Sequence, residues 1–143
     1  MRNWTEGALA LIIVVGLGVG LLFFSGQSIG DGGTETTQAP IVIDTDAAAR
    51  GAVLAEGQGC LQCHTTDGTL GSGPSWKGLA GSTRPLTDGG EVVADDAYLF
   101  NSIVDPGNQT VDGYEDLMPK FYADQLNDDQ ITDLVEYIKS LAT

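Results

Sequence analysis

The sequence predicts an all-α domain of short helices following one N-terminal apolar segment, and three observations carry that prediction. Ile131, Leu134, Val135, Ile138 and Leu141 fall on one face of a helix, with Asn127 and Gln130 placed as a capping box at its start. Ala47–Glu56 is rich in helix formers, with Asp46 as N-cap and Gly57 and Gly59 to stop it. No alternating strand and helix pattern runs through the rest of the chain.

The remaining elements follow in order. Gly7 to Gly30 holds no charge, and Ala8–Phe24 is almost wholly apolar. As a helix, those 17 to 24 residues would span roughly 25–36 Å, enough for a bilayer core of about 30 Å. Arg2 before an apolar run also suits a signal peptide. No clean small-x-small cleavage site follows Phe24, which favours a retained anchor over residues 1–26. Arg2 lies on one side of the span and Asp31 and Glu35 on the other. The positive-inside tendency then puts the N-terminus in the cytoplasm and the remainder outside. Gly16 and Gly20, with Gly18 between, have the spacing that lets a partner helix approach closely.

Residues 27–43, rich in Gly, Ser, Thr and Gln, read as a flexible linker with a reach of roughly 20–25 Å. Residues 44–143 form the globular domain. Gly68–Gly81 holds five glycines and Pro74, so it is loop, with Trp76 its one aromatic side chain. Arg84–Val93 carries Asp88-Gly89-Gly90 between short apolar pieces, a candidate hairpin. Asp95 or Asp96 caps a helix running to about Val104, and Pro106 ends it. Gly107–Leu117 is loop. The last helix must bury its apolar face, and the first helix is the expected neighbour.

Chemistry concentrates in Cys60-Leu61-Gln62-Cys63-His64. Two thiols on one short turn can each bond a vinyl group of the same porphyrin, and the next residue then reaches the iron. This is the attachment pattern of a c-type haem, with His64 as the proximal ligand. A thioredoxin-like redox pair needs a strand and helix context that is absent here. A structural zinc site needs four ligands, and two Cys with one His leave it one short. A disulfide between Cys60 and Cys63 would staple almost nothing.

His64 is the only histidine, so bis-histidine ligation within the chain is excluded. Of the two methionines, Met1 lies beyond the apolar segment, leaving Met118 as the soft sixth-ligand candidate. A thioether favours reduced iron and raises the potential. The competing reading of Met118 is a core-filling side chain under a loop. Pro119 behind it stiffens that loop and supports ligation.

The net charge is −14, and Arg2 and Glu6 cancel, so the part outside the apolar segment keeps all of it. Nucleic acid is excluded as a partner, since it needs a basic footprint. An acidic exterior permits steering toward a basic partner, or serves solubility alone. Lys77 and Lys120 are expected to leave the haem edge less acidic than the rest. No catalytic base, nucleophile pair or open metal position is readable, so an enzyme is not expected.

With CxxCH early, one distal methionine late and a C-terminal amphipathic helix, Thr45 to Leu141 resembles the class I c-type cytochromes. The resemblance implies a class I cytochrome c fold, short helices around one covalent haem c with a small hairpin insertion. It sets Gly51 where the first and last helices cross, against Leu134 and Tyr137. It implies that the Pro74 carbonyl accepts a hydrogen bond from the His64 ring, and that Cys60, Cys63, His64, Pro74, Trp76 and Met118 hold the haem. Ala55 departs from the family, which often has an aromatic there. Gly81-Ser82-Thr83-Arg84, Val92 through Leu99, Ile103 through Pro106 and Met118-Pro119 are similar to one subgroup. It includes the cytochrome domains of haem-copper oxidase subunit II and the monohaem subunits of alternative complex III. The copper domain and two-helix hairpin of those oxidase subunits are missing.

The resulting expectation is a single-pass protein of the bacterial cytoplasmic membrane, its haem domain on the periplasmic side. It carries single electrons between redox protein partners, as a subunit of a quinol-oxidising complex or as an independent anchored shuttle. A haem lacking Met118 as ligand would instead suit a gas sensor or peroxidase.

Overall fold

The computed structural model describes residues 40–142. All belong to the second of two units into which the chain divides, Gln38–Thr143. The anchor expected over 1–26 and most of the linker expected over 27–43 lie outside the described residues. No helix among the described residues is long and apolar enough to cross a membrane.

Four helices and one hairpin make up the domain: α1 (Thr45–Gly57), β1 (Thr83–Pro85), β2 (Glu91–Val93), α2 (Asp96–Val104), α3 (Tyr122–Gln125) and α4 (Asp128–Ser140), with a 3₁₀ turn at Cys60–Gln62. Helix α1 starts two residues earlier than the sequence predicts. Asp44 is the cap, its carboxylate accepting from the amides of Asp46 and Ala47 at 3.0 and 3.1 Å. Asp46 sits instead in the first turn, where a negative charge complements the helix dipole. At the other end Gly59 takes φ +75°, turning the chain into the 3₁₀ turn. Asp95 rather than Asp96 caps α2, accepting from the Tyr98 amide. The capping box of α4 forms as read, with Asn127 and Gln130 bonded in both directions.

The two thirteen-residue helices, α1 and α4, pack against each other. Ile131, Leu134, Val135 and Ile138 are buried, and Leu141 follows as the C-cap, half-buried. Gly51 is the contact point: a Cβ there would run into the backbone carbonyl of Asp133 and approach the Tyr137 Cβ to 2.9 Å. Only glycine lets the backbones come this close. Ala55, one turn further on, is fully buried. It joins Trp76, Leu79, Tyr98, Leu99, Ile131 and Leu134 in the core.

Polar bonds brace the crossing. Arg50 donates to both carboxylate oxygens of Asp133, from Nε at 2.8 Å and Nη2 at 2.6 Å. The Asp44 amide donates to Glu136, and Glu136 accepts from Lys139, which also donates to Asp96. One ammonium thus joins α4 to the start of α2, and through Glu136 to the cap of α1. The Lys139 side chain is only 8% exposed. Burial alone would lower its pKa, but the bonds to Glu136 and Asp96 outweigh that, and the net shift is upward. A raised lysine pKa stabilises the fold fully at neutral pH, and the contribution is lost only as pH rises through the folded-state value. Lys139→Met keeps the apolar stem but leaves Glu136 without its cation, held only by the Asp44 amide. A loss of about 1–2 kcal/mol at pH 7 is expected, read by denaturant unfolding.

The hairpin forms where Asp88-Gly89-Gly90 predicts it, antiparallel, with Arg84 opposite Val92. Gly89 adopts φ +87° at the turn, and Gly90 donates to the Asp88 carboxylate. The strands do more than the sequence suggests. Leu86 bridges Val111, Thr87 donates to the Thr110 carbonyl, and Asp112 donates to the Pro85 carbonyl. The stretch read simply as loop over Gly107–Leu117 is therefore tied to the hairpin by its own backbone.

Candidate haem site

The 3₁₀ turn places the two thiols. Backbone amides of Cys63 and His64 both bond the Cys60 carbonyl, so the motif closes one tight turn directly after α1. Cys60 and Cys63 are free thiols, half-buried and exposed respectively. Burial pushes the Cys60 thiol above its ordinary range. A redox-active pair would have a lowered thiol, so this environment opposes that reading.

His64 is held from two sides. Its Nδ1 lies 2.8 Å from the Pro74 carbonyl oxygen. A carbonyl can only accept, so Nδ1 carries the hydrogen, and Nε2 keeps its lone pair for a metal. Trp76, itself buried, stacks on the ring with centroids 5.1 Å apart and planes 21° from parallel. Tyr137 meets the other ring system edge-on at 5.9 Å, which ties the imidazole to the α1–α4 crossing. Burial lowers the histidine pKa, more than the bond to Pro74 raises it. The ring is therefore neutral at pH 7, the state in which it can bind a metal.

The glycines of this loop have positional reasons. A Cβ on Gly71 would strike the Cys63 carbonyl, and one on Gly73 would lie 2.6 Å from Cε1 of His64 and 2.9 Å from Nδ1. The Gly73 amide also donates to the Cys63 carbonyl. Gly73→Ala is expected to displace the ring from Pro74. Fewer molecules would carry haem, and their visible spectrum would shift, both read on purified protein.

Cys60, Cys63, His64, Trp76 and Met118 line one cleft of about 360 Å³. That volume lies within the roughly 300–1,000 Å³ usual for cofactor clefts. Pro74 lines it as well, so all six residues picked from the sequence converge. Met118 follows the stretch Gly107–Leu117 and is half-buried. The wall between is apolar, with Leu79, Leu99, Ile103 and Val111 buried there.

A family model described as cytochrome c matches residues 48–142. The chain belongs to the cytochrome c family. No curated protein matches this cytochrome. The family binds covalent haem c, and the cytochrome is accordingly an electron-carrying haem protein. The cleft fits the group: adjacent thiols on its wall, a neutral imidazole with one nitrogen already engaged, and an apolar lining. Backbone approach is secured where Gly73 leaves room for the ring.

Two features of the site escape sequence reasoning. Tyr122, on the four-residue α3, is buried and its hydroxyl donates to the Gln58 carbonyl at 3.3 Å. A helix this short carries no periodic signal. The second concerns charge. Lys120 bonds Asp116 at 2.7 Å, and Lys77 lies near enough to Asp67 to help lower its pKa, behind the larger effect of Thr69. Lys120 is thus matched by a carboxylate, and neither lysine expected to soften the haem edge lines the cleft, whose charged lining residues are Glu115 and Asp116.

Proposed function

We propose that this cytochrome is a membrane-anchored carrier of single electrons, with Cys60 and Cys63 holding the haem and His64 and Met118 its axial ligands. The observation that carries this reading is the convergence of one imidazole and one thioether on a single apolar cleft. The haem supplies a ferric/ferrous couple that gains or loses one electron. The chain's residues set the conditions for it. Pro74 fixes the tautomer and orientation of His64, Trp76 keeps the ring plane in place, and the apolar wall excludes water. A dry surround lowers the reorganisation that accompanies each change in iron charge. Met118 would hold the iron together with His64, and a substrate would then find no place on it.

The apolar segment Ala8–Phe24 supports anchoring in the bacterial cytoplasmic membrane, with the haem domain on the periplasmic side. The subgroup resemblance and the Gly16/Gly20 spacing support membership of a quinol-oxidising complex such as alternative complex III, passing electrons to a redox protein. Purification of the native protein in mild detergent tests this: co-purifying subunits and haem reduction on adding quinol are expected. Recovery of the polypeptide alone would favour an independent anchored shuttle.

A further inference from the structure

Three rings stand in series behind the haem cleft. The His64 imidazole and the Trp76 indole lie face to face, with centroids 5.1 Å apart and planes 21° from parallel. The Tyr137 ring then meets that indole edge-on at 5.9 Å. Both spacings lie within the roughly 4.5–7 Å of direct aromatic contact. Trp76 is buried, and its amide donates to the Thr65 carbonyl at 2.8 Å, which fixes the middle ring. Tyr137 is half-buried at the α1–α4 crossing and is not among the residues that line the cleft. The series therefore starts at the side chain proposed to bind iron and ends at solvent. Packing alone asks only for volume at position 76, which an aliphatic side chain supplies elsewhere, as Leu79, Leu99 and Ile103 do on the cleft wall. Conjugated rings add something else. Their occupied π orbitals lie close in energy, so electron tunnelling decays less across touching rings than across saturated groups.

We infer that His64, Trp76 and Tyr137 form an electron route from the axial imidazole to the α1–α4 face. The inference rests on the carrier reading and gives that carrier a port apart from the mouth of its cleft. One electron passes along the rings from ferrous iron to a one-electron acceptor at the surface. Iron is oxidised and the acceptor reduced, no bond is made or broken, and no proton moves. The rings keep their electron pairs throughout, since they lend orbitals and hold no charge. A donor and an acceptor can then engage different faces of the same domain.

The test uses the full chain, haem-loaded and in detergent. The haem consumes both native thiols, so one introduced cysteine takes a ruthenium(II) polypyridyl label at a chosen place. Ser140→Cys puts the label beside Tyr137, since the Ser140 hydroxyl donates to the Tyr137 carbonyl at 2.6 Å. Leu70→Cys, at a residue 91% exposed in the depression adjoining the cleft, supplies the reference. A light flash sends one electron from excited ruthenium(II) to ferric iron, and the ruthenium(III) so formed takes it back. Dividing the rate from position 140 by the rate from position 70 cancels any change at the iron itself. Tyr137→Leu should lower this ratio several-fold, whereas Tyr137→Phe should keep it, because the ring and not the hydroxyl is required. Trp76→Leu should lower it too; where that variant takes up no haem, the Tyr137 pair decides alone. A wild-type ratio in Tyr137→Leu would overturn the route, as would an equal fall in Tyr137→Phe. A protein with no reversible ferric/ferrous couple, whose iron accepts no electron from either label, would overturn the carrier reading as well.

Discussion

Met118→Ala is expected to convert the reduced protein from one that ignores carbon monoxide to one that binds it stoichiometrically. Apart from the two attachment cysteines, the thioether is the one sulfur donor among the described residues of the cleft wall, and His64 is the only histidine in the chain. With the sulfur gone, nothing of comparable affinity reaches the iron from the polypeptide. The optical spectrum should change toward that of a five-coordinate or water-ligated haem. Loss of the thioether also removes the preference for ferrous iron. The midpoint potential should drop by a sizeable fraction of the ~0.8 V that axial ligands span. A variant whose spectrum, potential and carbon monoxide response match the wild type would show that Met118 merely fills space.

Gly51→Ala should be the most damaging single-methyl change in the fold. In an exposed helix interior the same change would stabilise by about 1 kcal/mol. Here the new Cβ meets the Asp133 backbone, which no rotamer change can move aside. The helices must separate, loosening Leu134, Ile138 and the bidentate Arg50–Asp133 pair together. Overpacking of this kind costs about 1–3 kcal/mol or more, and a rigid backbone contact puts it at the upper end. A fall in Tm of roughly 5–20 °C is expected, measured on the haem-loaded protein. Because Tyr137 touches both Gly51 and Trp76, the His64 environment should loosen too, visible as a shifted haem spectrum.

Much of this was legible in the sequence, for physical reasons that differ between elements. Helix α4 announces itself because its apolar residues repeat at the helical period and its caps are local. The CxxCH motif is legible because its geometry closes within one turn and depends on no distant residue. Gly51 became interpretable only through resemblance, since a lone glycine in a helix says nothing of what lies opposite. The sequence places the N-cap of α1 two residues late because Asp44 and Asp46 are both good caps, and the bond from the Asp44 amide to Glu136 exists only in the folded chain. The ties from the hairpin to Thr110, Val111 and Asp112 join residues more than twenty apart and leave no pattern. Lys120 illustrates a different gap. Its charge is in the sequence, but its neutralisation by Asp116 is a matter of side-chain geometry.

The two candidate ligands of the iron are secured by different parts of the molecule. His64 is bound into the Pro74–Trp76 loop and, through Tyr137, the central helix crossing, whereas the segment leading to Met118 leans on a two-stranded ribbon of three residues per strand. Such unequal footing predicts that the distal half has the lower free energy of opening. Amide hydrogens of Thr87 and Asp112 should then exchange with solvent well before those of Leu134 and Ile138. If His64 and Met118 hold the iron as proposed, heat or mild denaturant should free the sulfur at lower stress than the imidazole, a difference read in the visible spectrum.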